Sequence, residues 1–385
     1  MDRVENLQIF MPTKVIFGVG TVSQVGAEAA ALGKKALVVT AADSMRQHGH
    51  TARVERSLTH NGMKYELFDA VESNPSLKTV ETGAAFAYQT GCDVIIGLGG
   101  GSAVDAAKVI ASTAGLKLSF RELFDHGMSR KGLPSIAVPT TAGTGAEVNH
   151  TSLITVRENH QNMIRSFFNF PSTAIIDPEL MLSLPPTLTA NAGIDALTNA
   201  IEAYTSRSAQ PVSDLYARKA ISLIQNYLRQ AVEHGEDLNA RKGMAMASNL
   251  AGIARTQAGS GAARGIGMAI SGVCNVHHST AVGLALPGVI QLNLSTNLEK
   301  YRDIAQLLGA KANGMNLRDA AELAAHAVKK LIWELQLPSN LRELGIPQHL
   351  LAQITADPTF QQVSLNNPRP VTEKEKTDLL YAMYE

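Results

Sequence analysis

One junction restricts the possible folds more than any other stretch of the chain. Val94-Ile95-Ile96-Gly97-Leu98 is an unbroken apolar run that leads directly into Gly99-Gly100-Gly101-Ser102 and then into a helical pattern carrying Asp105 and Lys108. A run that is apolar on both faces reads as a parallel strand covered by helices. A strand end, a glycine turn and a helix N-terminus together form an anion site. Glycine lets the backbone approach a pyrophosphate without a Cβ clash, and the first N–H groups of a helix lack intrahelical acceptors. Ser102 is expected to cap that helix. The alternative is a tight β–α turn with nothing bound. Three consecutive glycines are costly in chain entropy for a turn alone, which favours phosphate.

The rest of the first half repeats the alternation. Strands are predicted at Lys14–Gly18, Ala36–Thr40, Lys64–Phe68, Ser135–Val138 and Thr173–Ile176, with helical patterns at Thr21–Leu32, Arg53–His60, Leu77–Thr90 and Ser102–Ser112. Alternating β and α elements predict a doubly wound parallel sheet. From about Pro186 the pattern is almost wholly helical, with candidates at Ala190–Ser206, Val212–Glu233, Leu238–Ala258, Ala281–Leu292, Leu298–Leu308 and Leu317–Leu335. Asn316 and Thr372 are expected N-caps. The expected division is an α/β domain over residues 1–182 and an all-α domain over 183–385. No internal repeat or low-complexity tract is visible.

Lys and Arg together number 34, as do Asp and Glu, so the net charge is zero and nothing suggests a nucleic-acid partner. Cys92 and Cys274 are too few for a disulfide framework and point to a reducing cytoplasm. The polar start Met1-Asp2-Arg3-Val4-Glu5-Asn6 has no apolar core of a signal peptide, and no apolar run reaches the roughly 20 residues that span a bilayer.

A second stretch complements the glycine turn. Pro139-Thr140-Thr141-Ala142-Gly143-Thr144-Gly145 follows the next strand with small hydroxyls and glycines suited to the rim of a nucleotide crevice. Alone it reads as an ordinary loop; paired with the triple glycine it does not. Gly18-Val19-Gly20 lacks the third glycine of a dinucleotide fingerprint and is discounted.

These stretches, followed by Ala146-Glu147, Gly193-Ile194-Asp195-Ala196-Leu197, Ile201-Glu202-Ala203-Tyr204 and Asn367-Pro368-Arg369-Pro370-Val371-Thr372, resemble the iron-containing (group III) alcohol dehydrogenase family from about Pro12 onward. The resemblance implies the dehydroquinate synthase-like architecture, an α/β nucleotide-binding domain followed by an all-helical one with a cleft between them. It also implies NAD(P)-linked interconversion of a small alcohol with an aldehyde or ketone, often by a homodimer. In that family one Asp and three His hold a divalent metal, usually iron. Asp195 matches the Asp and His278 the last His, but Asn199 and Arg264 stand at the other two positions, and Met268 at a further active-site His. A family lysine expected near Gln161-Asn162 is missing.

Asparagine is a poor ligand for iron or zinc, and arginine is a permanent cation with no lone pair to donate. No metal is therefore expected at this position. His277 adjoins His278, but neighbours on a helix point roughly 100° apart, so it is not expected to replace a missing ligand. Hydride transfer needs something positive at the carbonyl oxygen and a proton source. One reading gives Arg264 the place of the ion, paired with Asp195, polarising a carbonyl or clamping an anionic substrate group, with His278 as proton donor or relay. The other makes Asp195–Arg264 a salt bridge that plugs a disused hole, in a silent nucleotide-binding relative acting as partner or regulator. A third is a metalloenzyme with a rearranged ligand set.

His150 reads as a structural histidine, Glu202 and Tyr204 as packing or interdomain contacts, Cys274 as a small buried hydrophobe, Met163-Ile164 and Phe167-Phe168 as sheet or interface packing, and Glu373-Lys374-Glu375-Lys376 as a solvated helix face. Asp43, just past the second strand, favours NAD if it holds the acidic position that binds the ribose; Ala42 there would leave room for NADP. The cofactor-binding residues expected are thus Gly99, Gly100, Gly101, Ser102, Asp105, Thr140, Thr141, Thr144 and Asp43.

Overall fold

A computed structural model describes residues 7–41, 43–157 and 160–385. The chain divides into two compact units. One comprises Pro12–Leu184 with Glu236–Ala245, the other Met1–Met11 with Pro185–Gly235 and Met246–Glu385. A single boundary near residue 183 thus omits two short excursions.

The first unit is built on a six-stranded parallel sheet. Its strands are β1 (Lys14–Phe17), β2 (Lys35–Ala41), β3 (Lys64–Val71), β4 (Val94–Gly99), β5 (Ser135–Pro139) and β8 (Thr173–Ile176), in the order β1-β8-β5-β4-β2-β3. Side chains alternate across it. Leu37, Val39 and Ile95 join Val80, Ala87, Val109 and Ile110 on one face; Val38, Val94, Ile96 and Leu98 join Val25, Val54 and Leu58 on the other. Every residue of β4 is buried, which is why it reads as one apolar run. Each large aliphatic side chain buried there contributes about 1.5–3 kcal/mol.

Two further strands were not expected from the sequence. β6 (Thr151–Arg157) and β7 (His160–Arg165) pair antiparallel as a separate hairpin. Ile164 is buried there as sheet packing, whereas Phe167 and Phe168 are exposed and Phe167 stacks on buried His150.

The second unit is helical. The helix Pro211–Glu233 buries Ala217, Ala220, Ile221, Ile224, Leu228 and Ala231, the three-and-four spacing of an amphipathic face. Asn316 and Thr372 accept from Asp319 and Glu375 N–H as predicted N-caps. The helix Pro186–Thr205 is buried almost all round, so its polar residues require internal partners. The helix Ala262–Cys274, which the family resemblance implies around Arg264 but the residue pattern does not show, pairs with His278–Asn293. A Cβ at Gly267 would lie 2.6 Å from the Val282 Cα, so glycine is what lets these two helices approach closely. Among the described residues, no helix is long and apolar enough to cross a membrane.

Candidate active site

β4 ends at Gly99, whose φ of 145° falls in the region open to glycine. Gly100 is the N-cap of the helix Gly101–Leu116. Ser102 is therefore not the cap. It stands in the first turn, and its Oγ accepts from the Asn74 N–H at 3.3 Å. The N–H groups of Gly101 and Ser102 have no intrahelical acceptor at that position. The Thr/Gly loop after β5 lies directly against this turn. Thr140 N–H donates to Gly99 O at 2.9 Å, and Cβ atoms at Gly100 and Gly101 would fall 3.3 and 2.8 Å from the methyls of Thr141 and Thr144. Gly99, Gly100, Gly101, Ser102, Thr140, Thr141 and Thr144 thus converge at the C-terminal ends of two adjacent parallel strands, where open α/β sheets bind ligands.

Asp105 and Lys108 are engaged with each other and with the chain that follows the Thr/Gly loop. Buried Lys108 Nζ donates to Ala146 O at 3.1 Å, Asn149 Oδ1 at 3.1 Å and Thr151 O at 2.5 Å, and pairs with Asp105 at 2.9 Å. The other Asp105 oxygen accepts from Leu153 N–H at 3.1 Å. This polar knot fastens the helix to the segment after the Thr/Gly loop. Asp43 is exposed at φ 51° just past β2, the neighbour of β4. Ala42, its rival for the acidic position, lies outside the described residues, as do the side chains of Gln161 and Asn162.

In the helical unit, Asp195 and Asn199 sit one turn apart on the buried helix Pro186–Thr205. The guanidinium of Arg264, in the first turn of Ala262–Cys274, fills the space between them and His278. Its Nη2 donates to Asp195 Oδ1 at 2.6 Å and to Asn199 Oδ1 at 2.5 Å, and its Nη1 donates to His278 Nε2 at 2.7 Å. Arginine only donates, so His278 Nε2 accepts and the ring proton sits on Nδ1. Nδ1 has no partner among the described residues. Burial and the Arg264 charge push the His278 pKa down to about 3, so the ring is neutral at ordinary pH and is not an imidazolium acid. Burial raises the Asp195 carboxyl pKa, but the nearby Arg264 charge, with a smaller contribution from Arg255, more than reverses this and holds it low. The pair is a buried ion pair with no net charge.

Family comparison settles the lineage. The model of iron-containing alcohol dehydrogenase matches residues 12–178, and that of the family's C-terminal domain matches residues 189–384.

The chain belongs to the iron-containing alcohol dehydrogenase family.

It is accordingly an oxidoreductase of the alcohol dehydrogenase type. The chain is 37% identical to 1,3-propanediol dehydrogenase of Citrobacter freundii over 377 residues, covering 96% of each. It is 33% identical to NAD-dependent methanol dehydrogenase of Bacillus methanolicus, covering 96% of this chain and 98% of that one. A crystal structure of 1,3-propanediol oxidoreductase superposes with a TM-score of 0.95 at 35% identity, covering 99% of this chain and all of that one.

Membership raises the question of the family's iron. Asp195 Oδ1, Asn199 Oδ1 and His278 Nε2, the atoms that would face an ion, all accept from one guanidinium. A cation that cannot donate a lone pair occupies the centre of the set. Among the described residues, no group of three or more His, Cys, Asp or Glu could hold a metal. The donor set does not fit a divalent ion here. His277 offers no substitute: it is the non-helical N-cap of His278–Asn293 and is exposed, so the reason for its exclusion is its position outside the helix.

Two features went unread in the sequence. The helix carrying Arg264 contains Gly265 and Gly267, which obscure its periodicity in the residue pattern. Glu202, read as packing, accepts the N–H groups of Ala263 and Arg264 at 2.7 and 3.1 Å; its spacing of seven residues from Asp195 was the available signal. Tyr204 instead donates to Asp303 at 2.7 Å.

Proposed function

We propose that this protein is an NAD-dependent dehydrogenase that interconverts a small neutral alcohol and its aldehyde or ketone, with the Arg264 guanidinium standing where its relatives hold an ion. The observation that carries the reading is the contact of Arg264 with Asp195, Asn199 and His278 at 2.5–2.7 Å. A nicotinamide cofactor, when bound, would supply the hydride that the carbonyl carbon takes up in the reducing direction. The electron pair of the C=O π bond moves to oxygen, and a proton from water completes the alcohol. The remaining N–H groups of Arg264, whose Nε has no partner among the described residues, supply positive charge for the developing alkoxide. Neutral His278 holds the guanidinium in plane and keeps Nδ1–H as a hydrogen-bond donor. Because Asp195 already neutralises Arg264, the site favours an uncharged carbonyl over an anion.

The nucleotide would rest its pyrophosphate on Gly99–Ser102 and the Thr140–Thr144 loop. Asp43 is the candidate ribose partner and supports NAD; NADP is the alternative. The enzyme is read as a cytoplasmic homodimer, to be checked by light scattering.

A second reading, a silent nucleotide-binding subunit, is favoured by the three guanidinium bonds already spent on internal partners. The two readings separate in one experiment. Purified protein is assayed for NADH oxidation over a panel of small aldehydes and ketones, with and without chelator, alongside Arg264→Ala. Chelator-resistant turnover that falls by about 10²–10³ in the variant is expected. Stoichiometric iron or zinc beside Asp195, or full turnover by Arg264→Ala, overturns the proposal. Tight NADH binding with no turnover supports the silent subunit.

A further inference from the structure

Asp195, Asn199 and Glu202 are spaced i, i+4, i+7 and share one face of the helix Pro186–Thr205. The first two hold the tip of Arg264. The third holds its root, through the Ala263 and Arg264 N–H groups. The N-cap of the helix Ala262–Cys274 is Gly261, which has no side chain to cap with. The cap is supplied from elsewhere in the unit: Glu202 takes two first-turn N–H groups, and Asn367 Oδ1 takes that of Ala262 at 3.2 Å. Glu202 is 5% exposed. Its Oε2 has no partner among the described residues, and Glu202 lines a small, partly open pocket with Thr205, Asn293, Tyr301 and Asn367. A buried carboxyl group, whose pKa burial pushes up against the pull of the capped N–H groups, needs a local reason.

We propose that Glu202 is the positioning residue of Arg264, fixing the backbone from which the guanidinium reaches the reacting oxygen. This rests on the reading of Arg264 as the electrophile. One face of one helix then grips that residue at both ends, and releasing either end lets the charged tip drift. Displacements of about 1 Å in a catalytic group cost on the order of 10² in rate. The required feature is an acceptor at Oε1, so Gln is expected to replace Glu and Ala is not.

The test uses the full-length protein, with kcat, the two KM values and thermal midpoint measured together. Glu202→Ala is expected to lower kcat by about 10- to 100-fold while KM for NADH stays unchanged, and Glu202→Gln is expected to rescue kcat. Gly261→Ala attacks the same cap from the other side, because its Cβ would fall 2.9 Å from Glu202 Oε1. It should lower kcat in the same way with Glu202 still present, which keeps the test open should Glu202→Ala not fold. The proposal is overturned if either substitution leaves kcat intact, if the loss falls on KM alone, or if Gln fares no better than Ala. Full turnover by Arg264→Ala removes the electrophile reading, and this inference with it. A crippled Arg264→Ala beside a fully active Glu202→Ala removes this inference alone.

Discussion

The glycine turn after β4 and the Arg264 cluster are made of different materials. The turn is mostly main chain: unsatisfied N–H groups at a helix start, kept bare by residues without side chains and lined by Thr141 and Thr144. The cluster is almost wholly side chain, with a buried cation held by three acceptors. A main-chain site survives many substitutions, provided no Cβ intrudes. A side-chain site can be rebuilt by a few changes, while the helices that frame it stay in place. The backbone superposes on 1,3-propanediol oxidoreductase with a TM-score of 0.95, and Arg264 lies among Asp195, Asn199 and His278 within that frame.

The largest expected effect would break that contrast if it failed. Arg264→Ala strands fully buried Asp195, so unfolding free energy should fall by about 3–5 kcal/mol along with the loss of turnover. Adding Asp195→Asn to Arg264→Met removes both charges at similar volume. Denaturant melts should then recover much of the stability, with activity still absent. If activity returns with stability, the ion pair is only a plug.

Next in size is reconstruction. Asn199→His with Arg264→His restores the family's donor types around Asp195 and His278. About one iron or zinc per chain is expected by elemental analysis, in place of none for the parent. Failure to load metal would show that the surrounding helices, not only the four side chains, have changed.

The main-chain site should respond in affinity rather than chemistry. Gly101→Ala brings a Cβ to 2.8 Å from Thr144. NADH binding, followed by fluorescence, should weaken by about tenfold, or 1.4 kcal/mol. An unchanged dissociation constant would remove the turn from the cofactor site.

The smallest effect serves as a control away from both sites. Hydrogen bonding to Arg369, then to Thr372, pulls the Glu375 pKa down to about 2. A carboxyl depressed in the folded state stabilises above its unfolded pKa of about 4.3, and that contribution fades as pH falls toward 2. The thermal midpoint of Glu375→Gln should therefore lie below that of the parent near pH 7 and converge with it in acid. A gap that persists at low pH would trace to packing.

Legibility followed the same division. Strands buried on both faces, such as Val94–Gly99, announced themselves as apolar runs, and the helix Leu77–Thr90 was bounded as observed. The hairpin Thr151–Arg165 did not, because it carries mixed polar residues and belongs to no larger sheet. Ala262–Cys274 was hidden for a different reason. Gly265 and Gly267 lower its intrinsic helix preference, and what secures it is tertiary: caps from Glu202 and Asn367 and close contact with Val282. Ser102 misled because serine is a common N-cap, but the helix begins at Gly101, one residue ahead of it. The rewritten donor positions were visible only against the family pattern; that one guanidinium touches all three remaining acceptors required coordinates.

The Arg264–Asp195 contact has a consequence beyond the reaction itself. A positive charge carried on a covalent side chain cannot be stripped away in an iron-starved cell, displaced by a competing ion or spoiled by air oxidation of a ferrous centre. On the reading proposed for Arg264, the charge at this site is set once, when the chain is translated.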